Sequence, residues 1–300
     1  MAKDLIIGAA SNYTYDHVKY WINSIKKSGF DGDIVLVCTN MRNDELTKVA
    51  EKGVNIMVYG RPDANGNFVN DSKTAPHLER FFYLWNFLYQ CEPYRYVVTT
   101  DVRDVVFQSD PIKHIEKLNL EANGENFIAA SEGMYYIDEP WGNGNLEIAF
   151  GPFFRDRWNK NEIYNVGILA GTHAGVRDML LMIYQMGINR PFDVVDQAVY
   201  NFMLGVPSIA NSVLKTKNEG TWAVNLGTTL PAVMSGAGDL GYNCVRDPEK
   251  LKLYNEKYLC KQPIIDGDLV QNYAGKEICV VHQYDRVNGL KEKIMEKFDG

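Results

Sequence analysis

Two aspartates near residue 100 are the first side chains whose type and spacing could do chemistry. Asp101 directly follows a stretch of mainly β-branched and aromatic residues at 94–100, which is predicted to be a strand, and Asp104 lies three residues later. Carboxylate oxygens at such a position suit a hard divalent cation, Mn²⁺ or Mg²⁺, which in turn could bind a diphosphate. The alternative is that one aspartate caps the following turn and the other pairs with Arg103. Because ligands of open α/β sheets bind at the carboxyl ends of strands, the position itself favours a binding site.

The segments around these aspartates are predicted to build one α/β domain with a mainly parallel central sheet flanked by helices. Short apolar runs alternate with amphipathic stretches in the first hundred residues, which is the pattern of βαβ units. No repeat or linker divides the 300 residues. Strands are predicted at residues 5–10, 34–38, 54–59, 94–100, 127–131, 163–171 and 277–281. Helices are predicted at residues 16–28, 43–52, 76–91, 174–186, 192–204 and 248–259 and over the last dozen residues, and irregular loops at 60–75 and 133–161.

Composition and charge argue against several classes of protein. The net charge of −7 does not fit a chain that tracks a nucleic-acid backbone, since that task needs clustered Lys and Arg. No apolar run reaches the roughly 20 residues that cross a bilayer, and the N-terminus lacks the pattern of a signal peptide. We therefore expect no transmembrane segment and a cytoplasmic location. The five cysteines are scattered and never form a C-x-x-C pair, which indicates neither a disulfide framework nor a zinc site.

Four short segments stand in order along the chain: Asp101-Val102-Arg103-Asp104, Asn165-Val166-Gly167-Ile168, Asp196-Gln197 and Val281-His282. This ordered set resembles the motifs of GT-A glycosyltransferases. The resemblance is nearest to the glycogenin-like retaining branch and the related nucleotide-diphospho-sugar transferases, and it spans roughly residues 3 to 285. It implies a single GT-A (Rossmann-like) domain over residues 1–300, with a nucleotide-binding half at 1–110 and a sugar and acceptor half at 111–300. In the family the four segments are, in the same order, a strand-end Asp-x-Asp motif, an Asn-x-Gly strand, an Asp-Gln pair and a late His.

The resemblance implies a metal shell of Asp101, Asp104 and His282, with one departure from the family's pattern. The second aspartate of the family motif would align with Arg103, and Asp104 lies one position further on. Either Asp104 takes over through a shifted turn, or Arg103 supplies a fixed positive charge that partly replaces the ion. A side chain three residues after Asp101 can return to the same side in a tight turn, which favours Asp104. His282 would ligate through a neutral imidazole nitrogen, and a structural hydrogen-bonding role is the alternative.

The nucleotide of the donor is expected on the loop after the first strand, at residues 9–13. Ala9 and Ser11 are small enough to admit a base, and Tyr13 could stack on that base or pack against the next helix instead. Arg80 is a candidate for a phosphate or ribose contact, because a cation in an apolar stretch needs an anionic partner. A salt bridge from Arg80 to a nearby carboxylate is the alternative. The remaining donor contacts are expected from Asp101, Arg103, Asn165 and Gly167.

Asp196 and Gln197, at the start of a predicted helix, are expected at the reactive face of the sugar. If the reaction inverts, Asp196 is the general base. If it retains, Gln197 or Asp196 supports the oxocarbenium-like carbon while the leaving phosphate takes the proton. Helix capping is the alternative for Asp196. The aromatic-rich segment at 133–161 is the predicted acceptor platform, with Trp141 and Trp158 as its candidates, and ordinary packing accounts for some of its rings.

Together these residues predict an enzyme. It is a metal-assisted glycosyltransferase of the hexosyl or deoxyhexosyl type that moves a sugar from a nucleotide-diphosphate donor to a hydroxyl of a glycan or other acceptor. A UDP-sugar donor and a retaining outcome are implied by the resemblance alone. One alternative is a non-catalytic protein of the same fold that binds carbohydrate or nucleotide sugar. Another is a sugar nucleotidylyltransferase, but residues 8–13 lack the Gly-rich, Arg- and Lys-bearing loop of those enzymes.

Overall fold

A computed structural model describes residues 2–191, 193–229, 249, 252, 256–257 and 261–299. The strands are β1 (Leu5–Ser11), β2 (Asp33–Thr39), β3 (Asn55–Val58), β4 (Arg61–Pro62), β5 (Phe68–Val69), β6 (Tyr96–Thr100), β7 (Val105–Phe107), β8 (Phe127–Tyr135), β9 (Glu162–Thr172), β10 (Val213–Thr216), β11 (Ala223–Asn225), β12 (Ile264–Asp266), β13 (Leu269–Gln271) and β14 (Val280–His282). The helices are α1 (Tyr15–Lys27), α2 (Asn43–Glu51), α3 (Pro76–Gln90), α4 (Pro111–Leu118), α5 (Pro140–Phe150), α6 (Pro152–Trp158), α7 (His173–Gly187), α8 (Asp196–Met203), the one-turn α9 (Pro207–Ala210) and α10 (Leu226–Thr229), and a last helix at Leu290–Phe298.

Seven strands form the central sheet, in the order β10-β8-β9-β6-β1-β2-β3. Neighbouring strands run parallel except at β9, which is antiparallel to both β6 and β8. The prediction of a mainly parallel α/β sheet is therefore confirmed. β1 lies between β2 and β6, so the progression of the chain across the sheet reverses there. In open sheets such a switch point leaves a crevice at the carboxyl ends of the strands, where ligands bind.

A smaller sheet brings a late part of the chain to the same edge. It has the order β11-β14-β7, with β14 parallel to β11 and antiparallel to β7. In this register His282 lies opposite Asn225 on one side and Val105 on the other. The backbone N–H of Gln283 donates to the carbonyl oxygen of Asp104 at 2.7 Å. His282 is thereby held beside the turn that follows β6.

The two faces of the central sheet carry separate apolar cores, because successive side chains of a strand point to opposite faces. Leu5 and Ile7 of β1 pack with α3 and α7, whereas Ile6 packs with α1, and all three side chains are fully buried. Trp21 of α1 also donates from Nε1 to Thr100 Oγ1 at 2.9 Å. This buried hydrogen bond ties α1 to the last residue of β6, directly before the first aspartate of the motif.

The segment at residues 133–161, predicted to be an irregular loop, contains helices α5 and α6. Helix α5 begins after Glu139, whose carboxylate accepts hydrogen bonds from the backbone N–H groups of Trp141 and Gly142. Pro140 occupies the first helical position, where its missing N–H costs nothing. The sequence pattern does not predict this helix because it contains Gly142 and Gly144, and glycine is a poor helix former.

Other differences concern boundaries. The predicted loop at residues 60–75 contains the short hairpin β4-β5, and the helix predicted at 192–204 begins only at Asp196. Residue 192, most of the helix predicted at 248–259, Cys244 and Cys260 lie outside the described residues. The last predicted strand starts later than expected and includes His282. None of the helices in the described ranges is both long and apolar enough to cross a membrane.

Candidate active site

Three potential metal ligands meet where β6 ends. The backbone N–H of Asp101 donates to the carbonyl oxygen of Gly167 at 2.9 Å, which extends the pairing of β6 with β9 by one residue. The ligand atoms of Asp101, Asp104 and His282 all lie within 4.8 Å of one another. His282 Nε2 is 3.5 Å from Asp101 Oδ2 and 3.6 Å from Asp104 Oδ1. The turn after Asp101 therefore returns Asp104, and not Arg103, to this cluster.

The cluster fits a divalent cation in its chemistry and in its shape. Carboxylate oxygens suit Mg²⁺ or Mn²⁺, and a neutral imidazole nitrogen is a common further ligand. Gly167 borders the cluster, and a Cβ at this position would lie 2.7 Å from His282 Cε1 and 2.8 Å from Asp101 Oδ2. Glycine thus keeps the space beside the ligands open. Metal binding by these residues stays a prediction that the geometry supports.

A residue absent from the sequence prediction, Asn225, orients the histidine. Its side chain is fully buried, and its Oδ1 lies 2.8 Å from His282 Nδ1. The amide of Asn225 is itself fixed, because its Nδ2 donates to the carbonyl oxygen of Ser131 at 3.0 Å. An amide oxygen can only accept, so we infer that Nδ1 of His282 carries a proton and that Nε2 can present a lone pair to the cluster.

The side chains of the cluster shift one another's pKa values. Burial alone would raise the pKa of Asp101, but Arg80 and His282 hold it well below its usual range. Burial opposes the shift at Asp104 as well, yet His282 lowers the pKa of that carboxyl. Burial alone would lower the pKa of His282, but the Asp104 and Asp101 carboxylates raise it to about 9. Without metal the ring is therefore protonated at neutral pH, and a cation at Nε2 would take the place of that proton.

Two arginines lie at the margin of the cluster. Arg103 Nη2 is 3.7 Å from Asp104 Oδ2 and 3.8 Å from Asp285 Oδ2, and its side chain is half exposed. Arg286 Nη2, which the sequence does not single out, is 3.8 Å from Asp104 Oδ2. Both guanidinium groups approach the oxygen of Asp104 that is not the one nearest His282. They add positive charge beside the cluster without occupying its centre.

Arg80 connects the cluster of Asp101, Asp104 and His282 to Asp196 at the start of α8. Its Nη1 donates to Asp101 Oδ1, and its Nη2 donates to Asp196 Oδ2 at 3.2 Å. The side chain is partly buried, with its guanidinium 4.7 Å from the ring centroid of Phe81. The salt bridge with carboxylates, one of the two roles considered for Arg80, is formed in this structure, and the phosphate or ribose contact stays a prediction. Burial raises the pKa of Asp196, and the Arg80 charge acts in the opposite direction.

Two adjoining compartments open at this edge of the sheet. The first, which we call the β1 compartment, has a volume of about 270 Å³ and is lined by Ala9, Ala10, Ser11, Tyr13, Val37, Thr39, Pro76, His77, Glu79, Arg80 and Tyr83. The second, the β6 compartment, has a volume of about 240 Å³ and includes Asp101, Asn165, Gly167, Asp196, Gln197 and His282. His77 and Arg80 line both compartments. The predicted nucleotide residues and the predicted sugar and metal residues therefore fall into neighbouring spaces.

Tyr13 packs against the next helix, which is one of the two roles considered for it, and its stacking on a base stays a prediction. Its ring lines the β1 compartment and also stacks on His17 of α1, with centroids 5.1 Å apart and an interplanar angle of 16°. Burial raises the pKa of its hydroxyl, so the phenol stays neutral at physiological pH. Stacking on His17 of α1 thus holds the Tyr13 ring in one orientation.

A buried carboxylate that the sequence does not single out, Glu132, organises the β6 compartment. Its Oε1 accepts hydrogen bonds from Asn165 Nδ2 at 2.7 Å and from Gln197 Nε2 at 3.1 Å. Asn165 Oδ1 in turn accepts from the backbone N–H of Gly167 at 2.7 Å. Burial raises the pKa of Glu132. Glu139 lines the same compartment, and burial together with the Glu132 charge raises its pKa to about 7.

The two tryptophans of the predicted acceptor platform are in different places. Trp141, in the first turn of α5, lines the β6 compartment. Trp158 stacks on Phe154, with centroids 5.1 Å apart, and lines a separate groove beside Tyr135 and Tyr164. The structure therefore gathers most of the predicted residues around the cluster of Asp101, Asp104 and His282. Arg103 lies at the margin of this cluster, and Trp158 lies outside it.

Comparison with solved structures agrees with this architecture. The chain is similar to the bifunctional glycosyltransferase WbbM in its apo form, with a TM-score of 0.57 and 14% sequence identity; the match covers 99% of this chain and 50% of the WbbM chain, so this chain spans half the length of that protein. It is also similar to an active-site mutant of LgtC, with a TM-score of 0.52, 12% identity, and coverage of 99% of this chain and 96% of LgtC. No family model and no curated protein sequence matches. The chain therefore has the GT-A fold of nucleotide-sugar glycosyltransferases.

Proposed function

We propose that this protein is a metal-assisted glycosyltransferase that moves a sugar from a nucleotide-diphosphate donor to a hydroxyl of a glycan or other acceptor. One observation carries the proposal: Asp101, Asp104 and His282 place their ligand atoms within 4.8 Å of one another at the carboxyl end of a central strand. Two compartments adjoin at this position, as a donor with a nucleoside at one end and a sugar at the other requires. A UDP-sugar is the donor that the family resemblance favours.

In the proposed complex the nucleoside lies in the β1 compartment, where Ala9 and Ser11 leave room for it and Tyr13 offers an aromatic face. The diphosphate lies over the cluster, with Arg286 and Arg103 as flanking positive charges. The sugar lies in the β6 compartment. A cation held by the two aspartates and His282 would supply Lewis-acid stabilisation of the departing diphosphate.

Transfer breaks the bond between the anomeric carbon and the phosphate oxygen, forms a bond from that carbon to the acceptor oxygen, and releases the acceptor's proton. Asp196 is paired with Arg80, so it is a fixed negative charge near the anomeric carbon. Glu132 is the second carboxylate of the sugar compartment, and burial raises its pKa, which makes it a better proton acceptor. In an inverting reaction Asp196 or Glu132 takes the proton. In the retaining reaction, which the resemblance favours, the leaving phosphate takes it and Gln197 borders the reacting carbon.

The test is a thermal-shift panel of UDP, GDP, ADP and their sugar conjugates with and without Mn²⁺. A ligand at 100 times its dissociation constant adds about 2.7 kcal/mol of stability, so the donor is ranked directly. Asp101→Asn and Asp104→Asn are expected to remove the Mn²⁺-dependent shift. Asp31→Asn, at an exposed turn before β2, is the matched control.

Full Mn²⁺-dependent stabilisation in Asp101→Asn would contradict the metal assignment. Donor binding with neither hydrolysis nor transfer to any acceptor would instead identify a non-catalytic binding protein with the same fold. Formation of a nucleotide sugar from a nucleoside triphosphate and a sugar phosphate would identify a nucleotidylyltransferase.

A further inference from the structure

A third open space lies on the same edge of the sheet as the proposed donor site. We call it the β8–β10 groove; its volume is about 440 Å³, and its walls include Tyr135, Trp158, Lys160, Tyr164, Asn201 and Lys215. These residues come from the carboxyl ends of β8 and β10, the end of α6 and the turn after it, the amino end of β9, and helix α8. Because β9 runs antiparallel to β8, its amino end meets the carboxyl ends of the parallel strands. The groove is thus larger than either compartment and shares their orientation.

The groove is separated from the β6 compartment by one turn of α8. Asn201 lies four residues after Gln197, and its Nδ2 donates to the carbonyl oxygens of Gln197 at 2.8 Å and Tyr164 at 2.7 Å. Asn201 lines the groove and Gln197 lines the β6 compartment. One helical turn rises about 5.4 Å, so the groove and the β6 compartment lie close together along α8.

The walls of the groove carry aromatic faces next to positive charges. Lys215 Nζ lies 5.6 Å from the ring centroid of Tyr164, and Lys160 and Trp158 line the same groove. Across the described part of the chain, no carboxylate lies within ion-pair distance of the ammonium group of Lys160 or Lys215. Glu162 is the acidic residue of the lining, and it accepts hydrogen bonds from Ser131 Oγ and, at 3.3 Å, from Tyr164 OH.

These charges run against the net charge of the chain, which is −7. A lysine on an edge strand such as β10 can serve to prevent aggregation, which is a sufficient reason for Lys215 alone. Lys160 precedes β9, an interior strand of the sheet, so this reason does not apply to it. Two lysines that line one groove together with aromatic rings instead match a ligand that combines sugar rings with negative charge.

We propose that the β8–β10 groove binds the acceptor and selects one that carries an anionic group, a carboxylate or a phosphate, on its sugar. The aromatic rings pack on the apolar faces of the sugar, and Lys160 and Lys215 pair with the anionic group. This inference rests on the proposed glycosyltransferase function, and it specifies the substrate class of the acceptor.

The experiment is a binding titration of the whole protein with three probes: trigalacturonate, glucose 6-phosphate and neutral maltotriose. At low ionic strength we expect an anionic probe to bind and maltotriose to bind at least tenfold more weakly. The two anionic probes distinguish a uronate from a sugar phosphate. Lys160→Gln and Lys215→Gln are each expected to weaken anionic binding about threefold to fivefold, and added salt should act in the same direction. Lys293→Gln, exposed on the last helix, is the matched control.

Equal binding of neutral and anionic probes, no binding of either anionic probe at millimolar concentration, or undiminished anionic binding in the double variant would each overturn the inference. The outcome is separable from the proposed function, because the Mn²⁺-dependent shift with nucleotide sugars is measured on the same variants and does not involve the lysines. A positive nucleotide-sugar shift with no anionic preference would leave the glycosyltransferase in place and remove only the acceptor assignment.

Discussion

Asn225 offers a way to weaken metal binding without changing a ligand. It is fully buried, accepts from His282 Nδ1 at 2.8 Å, and donates to the carbonyl oxygen of Ser131 at 3.0 Å. Asn225→Val removes both hydrogen bonds while keeping a side chain of comparable size. The imidazole then loses the group that fixes its ring orientation and its tautomer.

The size of the effect follows from these two bonds. Loss of the outer partner of a ligating histidine lowers metal affinity about 10- to 100-fold, or about 1.4–2.8 kcal/mol. The same substitution leaves His282 Nδ1 and the Ser131 carbonyl without these partners, and each buried unsatisfied group costs about 1–3 kcal/mol of folding free energy. Since a domain is stable by about 5–15 kcal/mol, the variant is expected to fold with a lower melting temperature.

The assay is calorimetric titration of Mn²⁺ into wild type, Asn225→Val and Asn225→Asp, with circular dichroism to verify folding at the titration temperature. Asn225→Asp keeps an acceptor for His282 and is expected to bind Mn²⁺ at least as tightly as wild type, because a carboxylate partner increases the basicity of the ring. Equal Mn²⁺ affinity of folded Asn225→Val and wild type would refute the reasoning.

Three further perturbations test other parts of the site. Glu132→Gln is expected to lower kcat for transfer by about 100-fold or more, because the substitution removes a buried carboxylate from the sugar compartment. The thermal shift with UDP and Mn²⁺ should change little. An unchanged kcat would exclude Glu132 from catalysis. Gly167→Ala is expected to abolish Mn²⁺ binding, since its Cβ would lie 2.7 Å from His282 Cε1, whereas Gly144→Ala, where a Cβ meets nothing within 4 Å, should titrate like wild type. Burial and the Glu132 charge raise the pKa of Glu139 from 4.5 to about 7, so the folded state favours the protonated form of this side chain. Protonated Glu139 therefore adds stability that is fully present below about pH 4.5 and is lost as the pH rises through about 7. At about 1.4 kcal/mol per pKa unit, this stability amounts to about 3 kcal/mol. Urea unfolding at about pH 5.5 and about pH 8 should show a fall in the free energy of unfolding that is smaller in Glu139→Gln than in wild type. Equal falls in the two proteins would contradict the prediction.

Local patterns account for the parts of the site that the sequence predicts. Asp101 can be assigned to a strand end because residues 94–100 are mainly β-branched and aromatic, and α1 is recognisable from the helical spacing of its apolar residues. Asn225 cannot be found in this way, because its contact with His282 joins residues 57 positions apart through the pairing of β11 with β14. No periodicity in the sequence encodes which short strands pair.

Glu132 is hidden for a different reason. The sequence predicts a strand that ends at residue 131, because a glycine follows at position 133, whereas β8 continues to Tyr135. The register of β8 against β9 shifts between Ser131 and Tyr135, and this irregular pairing includes Glu132. A bulge of this kind is a property of two paired strands, so neither strand's sequence predicts it alone.

Strand β9 fixes a distance between two of the spaces described above. Tyr164 lines the β8–β10 groove, and Gly167, three residues later on the same strand, lines the β6 compartment. An extended strand advances about 3.3 Å per residue, and the pairing of β9 with β8 is irregular between Asn165 and Leu169, so the two positions are at most about 10 Å apart. The pairing of Tyr164 with Ser131 and the hydrogen bond from Asp101 to Gly167 hold both positions in the sheet. Under the proposed assignments, β9 acts as a molecular ruler. Which hydroxyl of the acceptor is modified would then depend on its distance from the anionic group held in the groove, and an acceptor with the right groups at the wrong separation would bind without reacting.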